Sequence, residues 1–168
     1  MTDTTNAVKA KSMEEPAADH LATIDWQRGE WTAAPGKYSR QHLWVLAGAK
    51  LKASDSGALL PAAYRDKVAI NPHNMFVATI SSAHMLTWLH IAFGMHIEVV
   101  SYVDRAFGVL SEVEGGDCWL SEVILHPMIQ FDAKQQVSPE TIAHIHELAQ
   151  QHCFIARSIK TKVTVRSA

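Results

Sequence analysis

A chain of 168 residues is enough for roughly one domain, and at that size it buries about 70% of its unfolded surface without disulfides or structural metal. With 15 Lys and Arg against 17 Asp and Glu, its net charge is −2, which argues against a dedicated binder of nucleic-acid phosphates. Its 48% hydrophobic content is that of a globular chain, and two cysteines, Cys118 and Cys153, exclude a disulfide scaffold or Cys-rich zinc module.

Residues 1–20 are polar and charged, a flexible tail by expectation, without the apolar core of a signal peptide. Residues 21–168 are read as a single domain. Ala22–Gln27 and His42–Leu46 are rich in strand formers. Gly36 and Lys37 fall in the turn region between them, and Ala47-Gly48 leads into a short strand at Lys50–Ala53. Ser54 to Val68, with Ser-Asp-Ser-Gly and Pro61, reads as a connection.

Asn71-Pro72 opens a long helix: Asn caps free amides, and Pro is favoured at the first helical position. The helix should run to Phe93 and stop at Gly94. Apolar residues from Met75 to Phe93 lie nearly all round it, which predicts burial on most sides. Thr79, Ser81, Ser82, His84, Thr87 and His90 interrupt the apolar run. A membrane span needs about 20 mostly apolar residues, and histidine in hydrocarbon is costly, so the expectation is a cytoplasmic protein without membrane contact.

His96–Leu110 and Cys118–Phe131 flank Gly115-Gly116-Asp117, the pattern of a long hairpin. Ser138-Pro139-Glu140 opens a second helix whose Ile142, Ile145, Leu148 and Ala149 keep helical spacing to about His152. Lys160–Val165 closes the chain as an alternating strand. The order β-β-α-β-β-α-β, with strands grouped in hairpins, predicts an α+β domain with an antiparallel sheet.

Several motifs stand in one order along the chain: Tyr38-Ser39-Arg40 with Trp44 nearby, Asn71-Pro72, Ser81-Ser82-Ala83-His84-Met85-Leu86, and Ser101-Tyr102 followed by Gly108-Val109. The most specific is the run from Cys153 to Thr161. Together they resemble one family, the OsmC/Ohr thiol-dependent hydroperoxide reductases. The resemblance spans roughly Ala22 to Val165. It implies an intertwined homodimer, with sheet wrapped around two long central helices and sites at the subunit interface. A dimer core would also account for so apolar a helix.

The family's chemistry uses a cysteine in the central helix to attack the peroxide O–O bond and a late cysteine to capture the resulting sulfenic acid. An arginine and a glutamate help activate the first thiol, because only the thiolate is nucleophilic and a free thiol has a pKa near 8.5. By this resemblance Cys153 is the late cysteine and Arg40 the activating arginine, with Arg65 in reserve. The attacking position, however, is Ala83, and the glutamate position is His73. A methyl group cannot attack a peroxide. The leading expectation is therefore a divergent, non-peroxidatic member related to oxidative-stress proteins that binds a small apolar molecule, with His84, Met85 and Trp88 lining the pocket. The alternatives are a thiol peroxidase acting on organic hydroperoxide through Cys153 or Cys118 alone, and an engineered Cys-to-Ala form of a working enzyme, against which the second change at His73 argues.

No cofactor or metal is expected. A Gly-rich phosphate loop and Gly-x-Ser-x-Gly are both missing from the sequence. His73 and His84 share a helix face, but about 16 Å of rise separates them. His73, in the first helical turn, should be neutral and could orient a ligand or act as a base. His84 and His90 read as hydrogen-bonded core or rim residues. His144, His146 and His152 read as a solvated face.

Overall fold

The computed structural model describes residues 22–27, 40–55 and 69–166. The tail expected over residues 1–20 lies outside the described residues, as do Gly36, Lys37, Tyr38, Ser39, Arg65 and most of the Ser54–Val68 connection.

Strands β1 (Ala22–Asp25), β2 (His42–Leu46) and β3 (Ala49–Ala53) form an antiparallel meander in that order. The β2–β3 turn is made by Ala47 and Gly48, with φ of 46° and 88°. Two successive left-handed residues match the right-handed twist of a two-residue hairpin. A parallel bridge from Ala53 to Ile70 then ties the meander to the start of the long helix, with the Ser54 amide donating to the Ile70 carbonyl at 3.0 Å.

Helix α1 (Pro72–Gly94) begins as its sequence predicts, the Asn71 side chain accepting from the His73 amide at 2.8 Å. Its end differs from the expectation. Gly94 remains helical, and the left-handed residue is His96, with φ of 59°. The amides of Ile97 and His96 donate to the carbonyls of Ala92 and Phe93, each at 3.0 Å, the paired bonds of a Schellman ending.

Burial of α1 is narrower than predicted. In the single chain only Ile80, His84, Trp88 and Ala92 are buried, a stripe of four-residue spacing, while Leu86 and Phe93 are 61% and 80% exposed. Among the described residues α1 alone has the length and apolarity to cross a membrane. That stripe, packed against other elements of the same chain, is what a core helix presents.

The predicted long hairpin is present but forked. Each arm breaks in the middle, giving β4 (Val99–Asp104), β5 (Phe107–Glu112), β6 (Cys118–Leu125) and β7 (Pro127–Phe131). At the break the Asp104 carboxylate takes the His126 amide at 2.7 Å, removing that donor from the ladder, and Pro127 supplies none. Consequently β4 pairs with β7 in one sheet, while β5 and β6 pair in another.

Helix α2 (Pro139–His152), capped by Ser138, and the short α3 (Phe154–Arg157) return the chain to the second sheet. There β8 (Lys162–Val165) pairs with β6 in parallel, which corrects the expectation of a wholly antiparallel sheet. Parallel neighbours need a long crossover, and α2 with α3 provides it.

Two apolar clusters hold these layers. Trp88, Ala92, Ile145 and Ala149 join α1 to α2. Ile80, Val123 and Leu125 join α1 to β6, with Ile155 and Val163 packed against them. Close approach of β5 to α1 depends on Gly108, where an added Cβ would lie 2.6 Å from Leu120 Cδ2 and 3.1 Å from Val77 Cγ2. Leu120 can swing aside, but the β-branched Val77 is stiff. Gly108→Ala should therefore cost about 1–3 kcal/mol of stability. Denaturant titration would measure it, and an unchanged midpoint would show that the contact relaxes freely.

Candidate functional site

The four-residue spacing of the α1 stripe puts His84 between Ile80 and Trp88, facing α2. There it meets His146, with His84 Nε2 and His146 Nδ1 3.0 Å apart and the rings within 7° of parallel. Both residues are buried, at 1% and 4% exposure. Burial lowers both pKa values from 6.5 to about 4; for His146 the neighbouring His84 lowers it further and Asp104 opposes the shift. At neutral pH both rings are therefore uncharged and share one proton, one nitrogen donating and the other accepting.

Trp88 links the pair to two further rings, lying against His146, Tyr102 and Phe131 at centroid separations of 5.6, 5.8 and 6.4 Å. Burial, helped by the charge of Asp104, raises the Tyr102 phenol well above its ordinary range, so it stays protonated. Trp88 Nε1, Tyr102 Oη and His146 Nε2 are buried without a hydrogen-bond partner.

This arrangement corrects one expectation. His146 belongs to the core and not to a solvated face, whereas His144 and His152 are exposed as expected. The signal was available: at 100° per residue His146 falls about 40° from Ile142 and 60° from Ala149, inside the apolar stripe of α2. On α2 no second histidine stands at metal-ligand spacing from it, so its place in the apolar stripe is its one mark in the sequence.

The other predicted residues lie in several places. Ala83 is half-buried beside His84, and its carbonyl accepts from Thr87 Oγ1 at 2.8 Å. His73 is exposed in the first turn of α1. Cys153 is 1% exposed at the junction of α2 and α3, its amide donating to the Ala149 carbonyl at 2.9 Å. Packing of Ile155 against the Ile80 cluster brings this junction beside α1. Arg40 precedes β2 and forms a 2.7 Å ion pair with Asp55. Cys118 is exposed at the start of β6, and both thiols are free. Thus His84 and Trp88 share the core with His146, while Met85 faces elsewhere. Among the described residues no three His, Cys, Asp or Glu side chains are grouped as a metal set.

Two grooves flank α1. One, of about 670 Å³, is lined by Leu86, Leu89, His90, Phe93, Ile97 and neighbours. The other, of about 610 Å³, runs between α1 and the β4–β5 corner, with Ser81, Ser82, Met85, Asp104 and Phe107 on its walls. Sequence reasoning missed Asp104, whose role depends on the fork in the hairpin.

Comparison with known proteins agrees with this architecture. The family profile described as OsmC-like protein matches residues 65–168. An OsmC-like protein of unknown function from Vibrio cholerae superposes with a TM-score of 0.84 at 32% identity, over 90% of this chain and 100% of its own. The organic hydroperoxide resistance protein OhrB of Bacillus subtilis gives 0.63 at 15% identity, over 88% and 98%. An organic hydroperoxide resistance protein from Elizabethkingia anophelis gives 0.60 at 20% identity, over 89% and 96%. Among curated proteins, none matches. Fold, family profile and one relative at this level of identity lead to one conclusion: the chain belongs to the OsmC-like protein family.

Proposed function

We propose that this protein is a non-peroxidatic OsmC-like member, a cytoplasmic homodimer that binds a small apolar molecule beside α1. The observation that carries the reading is Ala83, a methyl group at the position where family resemblance expects the attacking thiol. The remaining thiols do not compensate. Cys118 is exposed on β6, and Cys153 is almost wholly enclosed, where an approaching peroxide would have to displace packed side chains. This favours a binding protein over a one-cysteine peroxidase.

Dimerisation is supported by the apolar surface of the single chain. Leu86, Phe93, Val100, Leu110 and Phe154 are each more than half exposed, and so much apolar surface is uncommon on a monomer. Covering it with a second copy would also enclose the grooves along α1. Sedimentation at micromolar concentration should give a dimer whose unfolding midpoint rises with protein concentration; a well-folded monomer would remove the interface from the reading. Cumene hydroperoxide supplied with a dithiol should be consumed no faster than in the protein-free control. Turnover that Cys153→Ser abolishes would replace this reading with the peroxidase one.

A further inference from the structure

We infer that the groove between α1 and the β4–β5 corner is a binding site for an organic ammonium, a cationic amino group carried on a short apolar body. Its α1 side presents Ala78, Ser81, Ser82 and Met85, and its strand side presents Asp104 and Phe107. About 610 Å³ lies within the range of small-molecule pockets.

Two features select for positive charge. Asp104 is a half-buried carboxylate that accepts from Ser81 Oγ at 2.5 Å and from the His126 amide at 2.7 Å. Those two bonds fix its orientation and leave further acceptor positions on both oxygens. Among the described residues no Lys, Arg or His is ion-paired with it, so none of them supplies a counter-ion at the groove. The second feature is Phe107, 47% exposed and backed by the His126 ring at 5.7 Å and 15°. An aromatic face next to a carboxylate is the pairing that attracts an ammonium, through the ring quadrupole and through charge-assisted hydrogen bonds. A carboxylate-bearing ligand would be repelled from the same place. Val77, Ala78, Met85 and Ala106 supply the apolar wall for its body.

This site is separate from the position of the family's thiol. Ala83 does not line the groove, and at 100° per residue it lies roughly 100–180° around α1 from the helix residues that do. The inference therefore does not rest on the apolar-ligand reading above, and either can fail alone.

Isothermal titration of the full chain with hexylammonium, hexanoate and hexanol tests it. Hexylammonium should bind saturably and more weakly as salt rises, with hexanoate showing no binding. Asp104→Asn, which keeps the shape and the acceptor for His126, should weaken hexylammonium by about tenfold or more. Phe107→Leu should weaken it about two- to fivefold, and this second variant retains the test should the first fail to fold. Hexanol or hexanoate binding as tightly as hexylammonium would overturn the assignment. Undiminished affinity in folded Asp104→Asn would do the same, as would no hexylammonium binding at millimolar concentration, the result expected if another chain fills the groove.

Discussion

Restoring a thiol at position 83 and a glutamate at position 73 should let peroxide drive a disulfide onto Cys153. Ala83→Cys adds one sulfur atom at a half-buried helical site, at an intrinsic cost of a few tenths of a kcal/mol up to about 0.7, small against a typical stability of about 5–15 kcal/mol. His73→Glu places a carboxylate in the first turn of α1, which holds no acidic residue and where the helix dipole favours one. The double variant should therefore fold. Treated with limiting organic hydroperoxide, which is reduced to the alcohol and water, it should lose the mass of two hydrogen atoms and yield a crosslinked peptide joining position 83 to Cys153. Such a bond requires Cα atoms within about 7 Å. Each single change should do less, one lacking its activating carboxylate and the other its nucleophile. Over-oxidation of the new thiol without any crosslink would show that Ala83 does not face Cys153, and the family-based site assignment would fall.

Mild acid should destabilise the protein through the His84–His146 pair. Both histidines titrate near 4 in the fold and near 6.5 when unfolded. Between those values the unfolded chain binds more protons, so stability falls as pH drops from about 6.5 towards 4 and levels off below it. One histidine moved from 6.5 to about 4 corresponds to roughly 3 kcal/mol. The two share one hydrogen bond and do not titrate independently, so a loss on the order of 3 kcal/mol is expected for the pair. Denaturant midpoints measured from pH 7 to 4 would show it. Replacing both rings with leucine should remove that part of the slope, since paired removal leaves no orphaned polar atom. His146→Leu alone should cost more at pH 7 than the double change. A slope unaltered by the double change would place the acid sensitivity elsewhere.

Much of the fold was legible in local chemistry. Asn71-Pro72 and Ser138-Pro139 mark the starts of α1 and α2 because capping and fixed φ act within one turn, and Gly115-Gly116 marks the hairpin, with φ of 109° and 87°. The fork was not legible, because it depends on a carboxylate at Asp104 capturing an amide 22 residues away. The parallel β6–β8 pairing likewise depends on where α2 and α3 return the chain. The end of α1 was misplaced by one residue type: glycine is the usual left-handed residue, but here His96 takes that conformation. At the candidate site, the departures at Ala83 and His73 were plain from the motifs. The burial of His146 could be read from its place in the apolar stripe of α2, but its pairing with His84 could not, since it joins residues 62 apart on two helices.

The distance along the chain between α1 and α2 also sets the order of events during synthesis. Gly94 ends the first helix and Pro139 begins the second, some 45 residues later, or roughly 2–9 s at ordinary rates of translation. Throughout that interval Trp88 and Ala92 have none of the α2 partners that later bury them. The emerging helix is then an apolar segment in water, the kind of surface that aggregates or recruits chaperones. Yield in the cell should accordingly respond to chaperone supply and growth temperature more than the stability of the finished protein would suggest.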